Sequence, residues 1–261
     1  MEKLTCRQDT ALNLKKCEKC GDFKEFLRQK IEVKGILIAD ERILPQQCYC
    51  EKEEEKKQAE IAQKQADQQK LMEKYNAANI PPRFLNWDFS KVDESENKKV
   101  CQKYVDCFDI NLLAGKGLYL VGNIGTGKST LCYCIIKELI KKGYTARIVS
   151  FKEIIRELQA TNAQNSKKTY DEVMRDFLKF DFTVIDDFGR ETYTENQLTT
   201  AFEFVNEMNK NLKCVAVTAN PEIIAYMKSD DFKHKAAFKA ILDRLGQMAD
   251  TVLSFDGNSL R

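Results

Sequence analysis

Long hydrophobic runs are missing from this chain, and no stretch approaches the ~20 consecutive apolar residues that a membrane span requires. The opening residues, MEKLTCRQDT, also lack the apolar core of a secretion signal. Both absences predict a cytoplasmic protein with no membrane partner. Its 10 cysteines should then stay reduced, so closely spaced pairs read as metal ligands before disulfides. A charge excess is missing too. The 42 basic residues face 40 acidic ones, for a net charge of +2, so any nucleic-acid contact must come from a local patch. Histidine occurs once, and His234, standing among lysines, reads as an exposed side chain. The hydrophobic fraction of 43% is ordinary and excludes wholesale disorder. At 261 residues there is room for one sizeable core and a small appendage.

Three textures follow one another. Residues 1–50 carry cysteines and a β-rich stretch over 30–38. Residues 51–78 are nearly all Glu, Lys, Gln, Ala and Asp, with neither Gly nor Pro, which favours helix. Glu53–Lys57 and Glu60–Lys64 have the i,i+4 order of an exposed helix, and Ile61, Leu71 and Met72 are too few for a coiled-coil seam. A solvated helical linker of roughly 40 Å is expected, at ~1.5 Å per residue, stopped by Pro81 and Pro82. From residue 79 strands and helices alternate. Strands are expected at 117–121, 145–151, 182–186, 214–218 and 251–255, and helices at 130–142, 151–159, 170–180, 196–210 and through 221–248. Near-continuous apolar strands separated by helices predict a parallel sheet covered on both faces. The domains are thus read as 1–50, 51–78 and 79–261.

The sharpest signal lies directly after the strand at 117–121. Gly122-Asn123-Ile124-Gly125-Thr126-Gly127-Lys128-Ser129, followed by Thr130, fits G-x-x-x-x-G-K-[ST] between a strand and a helix. Glycines let successive backbone N–H groups curl around phosphates, and the helix N-terminus adds positive charge. Lys128 is expected on the β- and γ-phosphates of ATP or GTP and Ser129 on Mg²⁺. Val184-Ile185-Asp186-Asp187-Phe188-Gly189 puts two acids at a strand end beside that loop. Asp186 is expected to hold Mg²⁺ and Asp187 to orient or deprotonate water; many such proteins have the longer Glu at the second place. The strand at 214–218 leads to Thr218 and Asn220. Asn220 is placed near the γ-phosphate or the water, although Asn220-Pro221 also fits a helix cap.

In this order the pieces resemble AAA+ helicase loaders of the DnaC/DnaI type and the related transposition helper IstB. The resembling residues are Ile80-Pro81-Pro82-Arg83-Phe84, the phosphate loop, the acidic strand, the Thr218-Ala219-Asn220 ending, Ile241-Leu242-Asp243-Arg244-Leu245 and Gly257 to Arg261. The likeness covers 79–261, and a cysteine module also suits DnaI-like and phage members. It implies a five-stranded sheet of order 5-1-4-3-2 without a C-terminal lid, and ATP held between subunits of a homo-oligomer. Arg244 then looks like an arginine finger acting on a neighbour's ATP, and Arg261 like a second sensor. Where some relatives carry an arginine ahead of the finger, this chain has Lys239-Ala240. Single-stranded DNA would face Arg156, Lys167, Lys168 and Arg175.

Cys17-x-x-Cys20-Gly21 is a knuckle, and Cys48-x-Cys50 offers two further thiolates, together a tetrahedral Zn²⁺ set. Cys101, Cys107, Cys132, Cys134 and Cys214 read as small core side chains, and Cys6 has no assignment. Counting the zinc-bound thiolates, residues 1–50 are near neutral and poorly suited to grip DNA by charge. Protein docking fits better, and the resemblance implies a hexameric replicative DNA helicase as the partner. The expected function is therefore an ATPase that loads that helicase; the alternative is an IstB-type helper of a transposase. A nucleotide kinase would need an acceptor pocket and lid, for which no signature is present.

Overall fold

The computed structural model describes residues 14–28, 31–33, 36–39, 42–162, 166–189, 193–229, 232 and 234–255. Cys6 and the closing Gly257 to Arg261, including the sensor expected at Arg261, lie outside the described residues. The chain divides into two compact units, Met1–Gln69 and Lys70–Arg261.

In the first unit β1 (Glu25–Arg28) pairs antiparallel with β4 (Arg42–Pro45), from Glu25 opposite Pro45 to Arg28 opposite Arg42. The β-rich stretch expected at 30–38 is a hairpin of β2 (Ile31–Val33) and β3 (Ile36–Ala39). Helix α1 runs Tyr49–Ala77, its last residues counted in the second unit, and of its side chains only Tyr75 is buried. That polar helix matches the expected linker composition, and the Glu53–Lys57 pair is present at 4.0 Å.

The second unit is built on a five-stranded sheet of β5 (Gly117–Gly122), β6 (Ala146–Ser150), β7 (Phe182–Phe188), β8 (Cys214–Ala219) and β9 (Ala249–Phe255). Its order is β6-β7-β8-β5-β9, with all four pairings parallel. Counted from β5, this is the expected 5-1-4-3-2 read from the opposite edge. Parallel neighbours need crossovers, which α4 (Lys128–Lys141), α5 (Phe151–Gln159), α6 (Tyr170–Leu178), α7 (Glu195–Lys210), α8 (Pro221–Lys228) and α9 (Lys235–Met248) help supply. Three of them start where the sequence writes a capping box: Ser150 with Glu153, Thr169 with Glu172, and Thr194 with Gln197.

Alternation along the strands fills a core on each face of the sheet. Leu118, Leu120, Val184, Ala216 and Leu253 join Cys101, Ile135 and Leu139 in one core. Val149, Ile185, Val215 and Val217 join Ile155, Phe204 and Ile241 in the other. Two helices ahead of the sheet, α2 (Glu96–Asp106) and α3 (Phe108–Ala114), were not expected. They have their own signals, a Ser95 cap on α2 and left-handed Gly115 closing α3. The entry segment is pinned by Lys137, a buried ammonium that donates to the carbonyls of Leu85 and Trp87.

The helices expected through 221–248 are α8, ended by Ser229, and α9. Three expectations change. Helix α4 starts at Lys128 and not at residue 130. Cys107 is exposed, because it falls at the joint between α2 and α3; Cys101, Cys132, Cys134 and Cys214 are buried as expected. His234 is half-buried at the N-cap of α9, its ring 6.3 Å from that of Phe232.

Candidate nucleotide site and cysteine cluster

The loop between β5 and α4 has the shape its glycines permit. Gly125 and Gly127 take φ of 86° and 90°, and Gly127 is the N-cap of α4, a conformation that strains residues with a Cβ. Gly122 is needed for space: a Cβ there would lie 2.6 Å from the carbonyl oxygen of Phe255. The Thr126 hydroxyl donates to the carbonyl of Asn123 at 2.9 Å, while Ile124 at the tip is exposed. The Lys128 ammonium, half-buried under the loop, donates to the carbonyls of Gly122 and Asn123 at 2.8 and 2.6 Å. Burial pulls its pKa below the ordinary lysine value, against the carboxylates of Asp187 and Asp186.

Beside it, Ser129 Oγ donates to Asp186 Oδ1 at 2.9 Å, and Thr218 Oγ1 donates to the same oxygen at 2.5 Å. Burial raises the Asp186 carboxyl above its ordinary value, and those two hydroxyls partly offset the rise. Asp187 is exposed and has a positive φ of 53°. The structure thus brings Lys128, Ser129, Asp186 and Asp187 together at the carboxyl end of the sheet, with Thr130 on the first turn of α4.

Two predicted residues are engaged elsewhere. Asn220 caps α8, its Oδ1 accepting from the N–H of Glu222 at 2.9 Å. Of the two readings open for Asn220 in the sequence, the cap is the one the geometry displays. The polar group from β8 that reaches the acids is Thr218, which is fully buried. Its sequence signal was a lone hydroxyl ending an apolar strand. Arg244, half-buried on α9, donates from Nη1 to Gln247 Oε1 at 2.8 Å. Arg156, Lys167, Lys168 and Arg175 are all exposed, and Lys168 is paired with Asp176 at 2.5 Å.

In the first unit the ligand atoms of Cys17, Cys20, Cys48 and Cys50 all lie within 4.8 Å of one another. Cys50 Sγ is 3.4 Å from Cys17 Sγ and 3.2 Å from Cys48 Sγ. The knuckle is closed by Gly21 N–H on the Cys17 carbonyl at 2.8 Å and Cys17 N–H on the Asp22 carbonyl at 2.7 Å. The backbone N–H of Cys20, aided by the Cys48 thiol, pulls the Cys17 pKa down to about 6. Tetrahedral zinc with bonds of about 2.3 Å sets sulfurs about 3.8 Å apart, so this thiol set fits one zinc ion.

The family model described as IstB-like ATP binding protein matches residues 46–261. The chain belongs to this family. An ATP-binding protein of an IS21-like insertion sequence from Bacteroides fragilis is 26% identical over 145 residues, 55% of this chain and 52% of that protein. The replicative helicase loader DnaC of Escherichia coli K12 is 24% identical over 156 residues, 58% of this chain and 62% of that protein. The chain thus spans between half and two thirds of these curated relatives. The crystal structure of DnaI superposes with a TM-score of 0.54 at 24% identity, over 70% of this chain and 94% of that one. The fold is accordingly that of the AAA+ P-loop proteins. Among the described residues no helix is long and apolar enough to cross a membrane.

Proposed function

We propose that this member of the IstB-like ATP-binding family hydrolyses ATP and uses the cycle to load a replicative DNA helicase. The loop amides and Lys128 bind the triphosphate. Ser129 and Asp186 would hold Mg²⁺, which neutralises charge on the β- and γ-phosphates. Asp187, exposed beside Lys128, orients or deprotonates the attacking water. Arg244 supplies a guanidinium to the ATP of an adjoining copy, which couples hydrolysis to assembly. Arg156, Lys167 and Arg175 offer exposed cations to the phosphates of single-stranded DNA.

The four-thiol cluster, whose Cys17 and Cys20 precede the stretch matched by the family model, supports the loader because a cysteine module suits the DnaI-like members that the sequence resembles. A compact, nearly neutral zinc module outside the ATPase suits a protein partner better than DNA. The similarity to an IS21-like ATP-binding protein supports the second reading, a transposase helper. Purification of the tagged full chain with its bound partners separates the two. Retention of a hexameric helicase supports the loader, and retention of a transposase in its place transfers the assignment to the helper.

A further inference from the structure

Strand β7 does not run straight into its acidic end. Its register with β8 is regular from Phe182 opposite Cys214 to Ile185 opposite Val217, then resumes with Phe188 opposite Ala219. Two residues of β7, Asp186 and Asp187, therefore face one residue of β8, Thr218. This is a bulge, and the extra residue takes the positive φ of 53° at Asp187. Its consequence is visible in the packing. Phe182 and Val184 lie in the core that contains α4, and strict alternation would send Phe188 there too. Phe188 lies instead in the opposite core, 4.6 Å from the Phe151 ring and 5.2 Å from the Phe238 ring.

A single buried hydroxyl connects both residues of the bulge. Thr218 Oγ1 accepts from the N–H of Asp187 at 2.9 Å and donates to Asp186 Oδ1 at 2.5 Å. The N–H of the extra residue is thus satisfied by a β8 side chain. We infer that Thr218 is a positioning residue for the hydrolytic step, holding the Asp186-Asp187 bulge so that the second acid faces the nucleotide. It acts through the two aspartates and not on a phosphate. The inference rests on the ATPase reading of the same site.

Three variants of the full chain test this: Thr218→Val, which keeps the volume and loses the hydroxyl, Thr218→Ser, which keeps the hydroxyl, and Asp187→Asn. Thr218→Val should lower the turnover of ATP on the order of tenfold to a hundredfold, while affinity for ATP measured without magnesium stays at the wild-type level. Thr218→Ser should restore turnover. Adding Thr218→Val to Asp187→Asn should cause less than its full loss in the wild-type background, since the part exerted through Asp187 is already gone. Wild-type turnover in Thr218→Val, no rescue by Ser, or a full additional loss in the double variant would overturn the assignment. Hydrogen exchange at the Asp187 amide supplies an arm independent of activity. It should quicken in Thr218→Val and stay slow in Thr218→Ser, and equal rates in all three proteins would refute the pin. A wild-type chain that turns over no ATP would remove the ATPase reading, and the exchange rates would still decide the role of Thr218.

Discussion

Asp186→Asn should make the ligand-free protein more stable and at the same time remove its response to magnesium nucleotide. The Asp186 carboxyl sits between Ser129 and Thr218 hydroxyls, and burial raises its pKa above the ordinary 3.8. An amide oxygen still accepts both hydroxyl protons, so the substitution removes the charge and keeps the hydrogen bonds. Relief of a functional-site charge is worth about 1 kcal/mol, or a rise in Tm of roughly 2–4 °C for a unit of this size. A carboxyl with a raised folded pKa lowers stability at pH above that value, where it must ionise, and has no effect once it is neutral in both states. The gap between variant and wild type should therefore be full at pH 7 and narrow as the pH falls through the raised pKa toward 3.8. Magnesium-ATP reverses the ranking. At a hundredfold excess over Kd the wild type gains about 2.7 kcal/mol, whereas the variant, without the anionic ligand, gains far less. Calorimetric Tm values of the full chain, with and without magnesium-ATP, read both effects. A ligand-free Asn variant that melts below wild type, or that gains as much from magnesium-ATP, would refute the reasoning.

Other positions have separate signatures. Arg244→Ala should leave ATP binding intact and slow hydrolysis on the order of 10³-fold, but only in the assembled state; normal hydrolysis by the assembled variant would remove the trans role. Asn220→Ala should cost about 1 kcal/mol in denaturant titrations through loss of the α8 cap while ATP turnover per folded molecule stays unchanged, and a large drop in turnover would return Asn220 to the site. Replacing Cys17 and Cys20 with Ser should release zinc, measured by metal analysis, and abolish association with the helicase in a pull-down while sparing ATP binding. Persistent association would place the docking surface elsewhere.

Much of this was legible in the sequence because the signals were local. The phosphate loop needs glycine at Gly125 and Gly127 for positive φ, and the capping boxes at Ser150, Thr169 and Thr194 write their own helix starts. The sheet order came from the family resemblance and agrees with the pairing of β5 between β8 and β9. What stayed hidden depends on where strands shift register and where helices break. The role of Thr218 rests on a register shift against β7 that no periodicity encodes, since the one extra residue, Asp187, looks like any strand-end acid. Cys107 reads as a core residue until α2 and α3 are seen to break there.

The most direct measurement is calorimetric titration of the purified full chain with magnesium and a non-hydrolysable ATP analogue, beside the Lys128→Ala variant. Saturable binding to the wild type that disappears in the variant is the predicted result. No binding to the wild type, or equal binding to both proteins, would contradict the assignment of the β5–α4 loop as the nucleotide site.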